Sequence, residues 1–256
     1  MIDQLHCVSS MTKVVMHNLT KGNFMKAFSL VFLILLMQVA HASTPIEVEV
    51  PITHIYSPKG FDSNDMAEVV ISGFLPNLCH KSPTLKAKVE DKTIYIQATA
   101  LNYEPENPFC PEMVVPFLSS VDVGVLDRGD YEVKVNINSP YEAKGALFIS
   151  ESMSPSVDEH TYAYVDHAVR VSGSRFVRFN GYNPSDCFVL DKVDFVDNGT
   201  DVYSVLPKMK QISDHCPMKM VPFSFAAEIP KKLSAKQVLL HIRVMNGKSV
   251  NHLFKN

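Results

Sequence analysis

The second half of this chain repeats the first, and each copy carries its own pair of cysteines. Gly73-Phe74-Leu75-Pro76-Asn77-Leu78-Cys79 is matched by Gly181-Tyr182-Asn183-Pro184-Ser185-Asp186-Cys187. Further on, Cys110-Pro111 with Pro116-Phe117 is matched by Cys216-Pro217 with Pro222-Phe223. The cysteines of the two copies lie 31 and 29 positions apart. Four cysteines allow three connectivities, and the repeat selects Cys79–Cys110 and Cys187–Cys216. Each bond closes a loop of roughly 30 residues and contributes about 3.5 kcal/mol by chain entropy.

The N-terminus predicts an oxidising destination. Phe28 to Ala40 is an apolar run preceded by Lys21 and Lys26, and it ends in Ala40-His41-Ala42, a small-x-small cleavage pattern. Residues 1–42 read as a leader, cleaved after Ala42, with Met25 a better start than Met1. The run is shorter than the roughly 20 apolar residues of a membrane span, so membrane attachment is expected only through an uncleaved leader. The leader removes Cys7 and leaves the four repeat cysteines, an even count suited to a disulfide framework. The expected location is the periplasm or the exterior.

Local patterning is β almost throughout. Tyr131-Glu132-Val133-Lys134-Val135-Asn136-Ile137 alternates, with Tyr131, Val133, Val135 and Ile137 on one face and Glu132, Lys134 and Asn136 on the other. Leu240-His241-Ile242-Arg243-Val244 is its counterpart. Leu147-Phe148 and Leu253-Phe254 read as short closing strands. Asn198-Gly199 predicts a tight hairpin with positive φ at both residues, and Glu90-Asp91-Lys92 occupies the matching place. No stretch has helical period, and sixteen prolines disfavour helix interiors. The polar stretch Ser150 to Glu159 marks a boundary, giving copies at 43–152 and 153–256 that touch each other.

Short strands, about 100 residues per copy and one buried disulfide in each point to an all-β protein of two tandem immunoglobulin-like sandwiches. The chain contains no tryptophan, so the likeness is one of architecture. A small barrel is the structural alternative. Within each copy, Gly73 and Gly181 read as bulge or bend positions stiffened by Pro76 and Pro184. Pro116-Phe117 and Pro222-Phe223 read as an edge proline followed by a core aromatic.

Chemistry is sparse. A net charge of −3 without a basic stripe disfavours nucleic acid. His215, Met218 and Met220 are soft-ligand candidates for copper or zinc, with Met218 and Met220 at strand alternation, but the cysteines are better used as cystines. No nucleophile-and-base motif selects a catalytic residue, and no cofactor is expected. Asn77-Leu78 against Ser185-Asp186, and 104–109 against 210–215, differ between the copies and read as contact loops.

The cadence Gly73…Cys79…Cys110-Pro111…Pro116-Phe117…Gly129-Asp130-Tyr131-Glu132-Val133-Lys134-Val135 resembles disulfide-bonded β-sandwich repeats of exported bacterial proteins without an assigned activity. The likeness covers most of residues 60 to 150. The second copy has Lys236-Gln237-Val238 where Gly-x-Tyr would fall. The expected function is non-enzymatic binding or scaffolding in the bacterial envelope, with an unknown protein or envelope component as partner. The alternative is a two-domain periplasmic assembly chaperone that pairs an edge strand with its client. A copper- or zinc-binding periplasmic protein is a distant third.

Overall fold

The computed structural model describes residues 44–105, 109–155, 160–183, 185–230 and 233–255. The predicted leader and Pro184 lie outside them. Pro45 to Asn256 forms one compact unit, and its described residues make fifteen strands and one short 3-10 turn at Met245–Gly247.

The first copy contains β1 (Ile46–Glu49), β2 (Ile52–Tyr56), β3 (Met66–Leu75), β4 (His80–Glu90), β5 (Thr93–Asn102), β6 (Val115–Val125), β7 (Gly129–Val135) and β8 (Ala143–Ile149). The second contains β9 (Tyr164–Arg170), β10 (Phe176–Asn183), β11 (Phe188–Asp197), β12 (Val202–Gln211), β13 (Val221–Glu228), β14 (Gln237–Val244) and β15 (Lys248–Lys255). In the first, β2-β3-β6 form one sheet and β4-β5-β7-β8 another, with β1 added beside β5. The same order returns as β9-β10-β13 and β11-β12-β14-β15. Both larger sheets are mixed, because β5 pairs β7 in parallel and β12 pairs β14 in parallel. The closing strands β8 and β15 are longer than the two-residue apolar cores that announce them.

Each sheet pair encloses a core. Val69 and Ile71 of β3 meet Ile94, Val133 and Leu147, while Val177 and Phe179 of β10 meet Tyr203, Leu240 and Ile242. A third cluster joins the copies: Tyr56 and Val70 pack with Val202 and Leu239, flanked by Leu118 and Leu253. The four sheets therefore stack in the order β4-β5-β7-β8, β2-β3-β6, β11-β12-β14-β15, β9-β10-β13. The two inner sheets are covered on both sides. That is why β3 and β14 are buried almost end to end.

The repeated glycines sit at a repeated bulge. Pairing slips between Ile52 and His54 on β2 and between Asn180 and Gly181 opposite β9. There the neighbouring backbone comes so close that a Cβ on Gly73 would lie 2.5 Å from the Pro51 carbonyl, and one on Gly181 would lie 1.9 Å from the Tyr164 carbonyl. Pro116 and Pro222 stand exposed on the edge strands β6 and β13, and Phe117 and Phe223 turn toward the two cores.

Three local expectations change. Asn136 does not stay with the charged residues of its face: it is 3% exposed and takes a positive φ of 47°. Its side chain replaces missing ladder bonds where β1 and β7 both end beside β5. The Ala98 amide donates to its Oδ1 at 2.7 Å, and its Nδ2 donates to the carbonyls of Ala98 and Val50 at 3.2 and 3.3 Å. The Asn198-Gly199 turn is also wider than a two-residue hairpin, since of these two only Gly199 has positive φ. The Asn198 Oδ1 instead accepts the amides of Thr200, Asp201 and Val202, each at 3.0 Å. The disulfides, finally, do not cross a core. They tie the β3–β4 turn to the β5–β6 loop, and the β10–β11 turn to the β12–β13 loop, with Cα–Cα distances of 5.9 and 5.4 Å. Cys187 is buried and the other three cysteines are half-buried.

Candidate functional site

The ionisable groups that distinguish this molecule converge on the seam between the copies. Asp65 and Arg243 form a two-pronged pair: Arg243 Nη1 donates to Asp65 Oδ2 at 2.9 Å and Nη2 donates to Oδ1. Asp65 is 4% and Arg243 6% exposed. Nη1 also donates to the Gly60 carbonyl at 3.0 Å, and the guanidinium lies over the rings of Phe61 and Tyr162. A fork-shaped cation suits this place because it meets both carboxylate oxygens while stacking on apolar rings.

Beside it, Glu68 of β3 meets His241 of β14 at 3.1 Å. Ser249 Oγ and Asn251 Nδ2 donate to the same Glu68 oxygen at 2.6 and 2.9 Å. Burial pushes the Glu68 carboxyl up, but the hydrogen bonds from His241, Asn251 and Ser249 and the histidine's charge together hold it below the ordinary range. His241 Nδ1 faces two acceptors, Glu68 Oε1 and Asn251 Oδ1, so it carries the hydrogen. Its Nε2 is buried without a partner.

At the rim the seam opens into a cleft of about 250 Å3 lined by Thr53, His54, Tyr56, Ser72, Asp201 and Lys236 among others. His54 Nε2 lies 2.5 Å from Asp201 Oδ2. Asp201 reaches this place because the Asn198 loop is widened, and Asn198 Nδ2 donates to its other oxygen at 2.7 Å. Burial raises the Asp201 carboxyl, and bonds from His54, Asn198 and Thr200 more than offset that rise. Burial also raises the Tyr56 hydroxyl, against a hydrogen bond with Ser72. The Ser72 hydroxyl is shared with Thr53 at 2.9 Å. The cleft thus offers an oriented imidazole–carboxylate pair whose neighbouring hydroxyls are held by one another.

A second hollow of about 300 Å3 lies on the outer face of the first copy, lined by Lys86, Lys88, Lys134, Tyr95 and Gln97. Its lysines are already engaged, Lys86 with Glu47 at 2.7 Å, Lys88 with Glu90 at 2.5 Å and Lys134 with Glu132 at 2.9 Å.

The residues singled out from sequence lie elsewhere. His215, Met218 and Met220 are exposed on irregular chain before β13, so Met218 and Met220 do not alternate on a strand. Among the described residues no group of three His, Cys, Asp or Glu side chains could hold a metal ion. Asn77 and Ser185, which differ by name, do one job: Asn77 Oδ1 accepts the Cys79 amide at 3.0 Å and Ser185 Oγ accepts the Cys187 amide at 2.8 Å. Of the 104–109 loop, residues 106–108 lie outside the described residues. Asp65, Glu68, His54, Asp201, His241 and Arg243 were missed. Their signal was weak but present: Leu239 and Val202 are apolar at outward positions where the first copy has Glu132 and Thr93.

A family model for the ORF11 beta-sandwich domain matches residues 69–143, less than a third of the chain. The match runs from β3 to the start of β8 and includes Cys79 and Cys110, which supports a β-sandwich domain there. No curated protein and no solved structure matches the chain.

Proposed function

We propose that this chain is an exported, non-enzymatic binding or scaffolding protein of the bacterial envelope, built as two tandem immunoglobulin-like modules on a cleaved leader. The immunoglobulin likeness is in the pairing of a three-stranded with a four-stranded sheet; the parallel β5–β7 and β12–β14 steps depart from the antiparallel arrangement of that fold. One observation carries the reading. The groups with most chemical potential, Asp65, Glu68, His241 and Arg243, are spent inside the seam, where they fix one module on the other. A rigid stack of this kind presents its two outer sheet faces and its end loops for contact. Two disulfides suit an oxidising compartment.

The test is photocrosslinking in intact cells from a reactive residue placed at Tyr95 or Tyr182, followed by fractionation and non-reducing peptide mapping. The reading predicts recovery outside the cytoplasm, Cys79–Cys110 and Cys187–Cys216 bridges, and a crosslinked envelope component. Recovery of a reduced chain from the cytoplasm, or a chain that crosslinks to nothing, would contradict it.

A further inference from the structure

The two copies occupy corresponding positions but bury different faces, and this asymmetry names a partner for the face left open. Gly73 pairs with Phe117 and Gly181 with Phe223, while His54 pairs with Ser72 and His167 with Asn180. By this register, Val70 of β3 corresponds to Arg178 of β10, and Glu68 to Phe176. Val70 and Glu68 lie in the seam. Arg178 and Phe176 are exposed on the outer face of β9-β10-β13.

The opposite side of the seam converts in the same way. Ile94 pairs with Val133, and Tyr203 with Leu240, all four turned inward. Leu239 of β14 therefore corresponds to Glu132 of β7, and His241 to Lys134. Glu132 is exposed on the outer face of β4-β5-β7-β8. Within the chain, Val70 packs in one cluster with Leu239, and Glu68 contacts His241. Carried to the two outer faces, the first pair becomes Arg178 with Glu132 and the second Phe176 with Lys134. Both are again complementary: an ion pair replaces an apolar pair, and an aromatic ring with a cation replaces a carboxylate with a histidine.

We propose that a second copy of this chain stacks head to tail on the first, its β4-β5-β7-β8 face on the β9-β10-β13 face, repeating between molecules the contact made within one. The interface is heterologous, so it propagates into open arrays unless the rotation closes a ring. A symmetric dimer through β9-β10-β13 is disfavoured because it would set Arg178 against its own copy. The contact between molecules is weaker than the seam, because Thr93, Glu132 and Ala146 stand where the seam has Val202, Leu239 and Leu253. Glu132 now bonds Lys134 in an exposed pair, which exchanges easily. Assembly is accordingly concentration-dependent and weakened by salt.

This inference rests on the scaffold reading and names its partner. Sedimentation velocity of the purified, oxidised chain at low ionic strength tests it. Wild type should associate with rising concentration. R178E and E132R should each lower the apparent association constant at least about tenfold while leaving the melting temperature unchanged. Mixed in equal amounts, the two variants should associate again, because both contacts in an alternating stack then join opposite charges. A wild type that stays monomeric at its highest soluble concentration overturns the proposal and leaves the face to a different protein. Association untouched by R178E, or a mixture no better than either variant, also overturns it. None of these results bears on the scaffold reading, which fails by location, redox state or absence of a crosslink.

Discussion

β7 and β14 hold the same place in their sheets, pair in parallel with corresponding neighbours and turn matched apolar residues inward, yet their outward residues do opposite work. On β7, Glu132 and Lys134 pair with each other at the surface. On β14, Leu239, His241 and Arg243 are buried under β2-β3-β6. The strand period is identical and only the outward residues differ. A sheet face becomes an interface when its central outward position turns apolar and its flanking charges acquire partners on the facing sheet. The first copy answers with Val70, Asp65 and Glu68.

The largest test of this contrast is Arg243→Ala. It strands the Asp65 carboxylate in the seam and should cost about 3–5 kcal/mol in urea unfolding. Replacing both, with Asp65→Leu and Arg243→Met, should recover most of that loss, since the isolated charge is then gone. Leu239→Ala should cost about 2–5 kcal/mol as a cavity-forming core change. Glu132→Ala, at the corresponding exposed place, should stay within about 0.5 kcal/mol. Equal effects at the two positions would break the comparison.

Acid comes next. Glu68 and Asp201 both have carboxyls held below their ordinary range in the fold. Their contribution is present above the unfolded-state value and is lost as pH falls through the folded one. The melting temperature should therefore drop on acidification out of the carboxylate range, and Glu68→Gln should flatten that drop. A smaller loss than at Arg243 or Leu239 is expected of His54→Ala. It removes a half-exposed partner of Asp201 and should cost about 1 kcal/mol, with the pH dependence from Asp201 reduced.

Legibility in the sequence followed locality. The cysteine pairs and the Gly73/Gly181 positions are fixed by turns and a bulge within one copy, so matching the copies exposes them. Strand positions were legible because the alternation of Tyr131, Val133 and Val135 reports one buried face. Burial of the second face was not. His241 and Arg243 alternate with apolar residues as Glu132 and Lys134 do, and only their partners some 170 to 180 positions upstream set them apart. Asn136 misled for a related reason: its amide mimics backbone across a gap between β1 and β7, which no periodicity records. Asn77 and Ser185 looked like a functional difference and are two side chains with one capping role.

The central claim is that the seam joins the two copies into one body. Differential scanning calorimetry of the oxidised chain near neutral pH tests it most directly. One cooperative transition is predicted, with calorimetric and van't Hoff enthalpies equal, and Arg243→Ala should separate it into two. Two independent transitions in the wild-type chain would contradict the account.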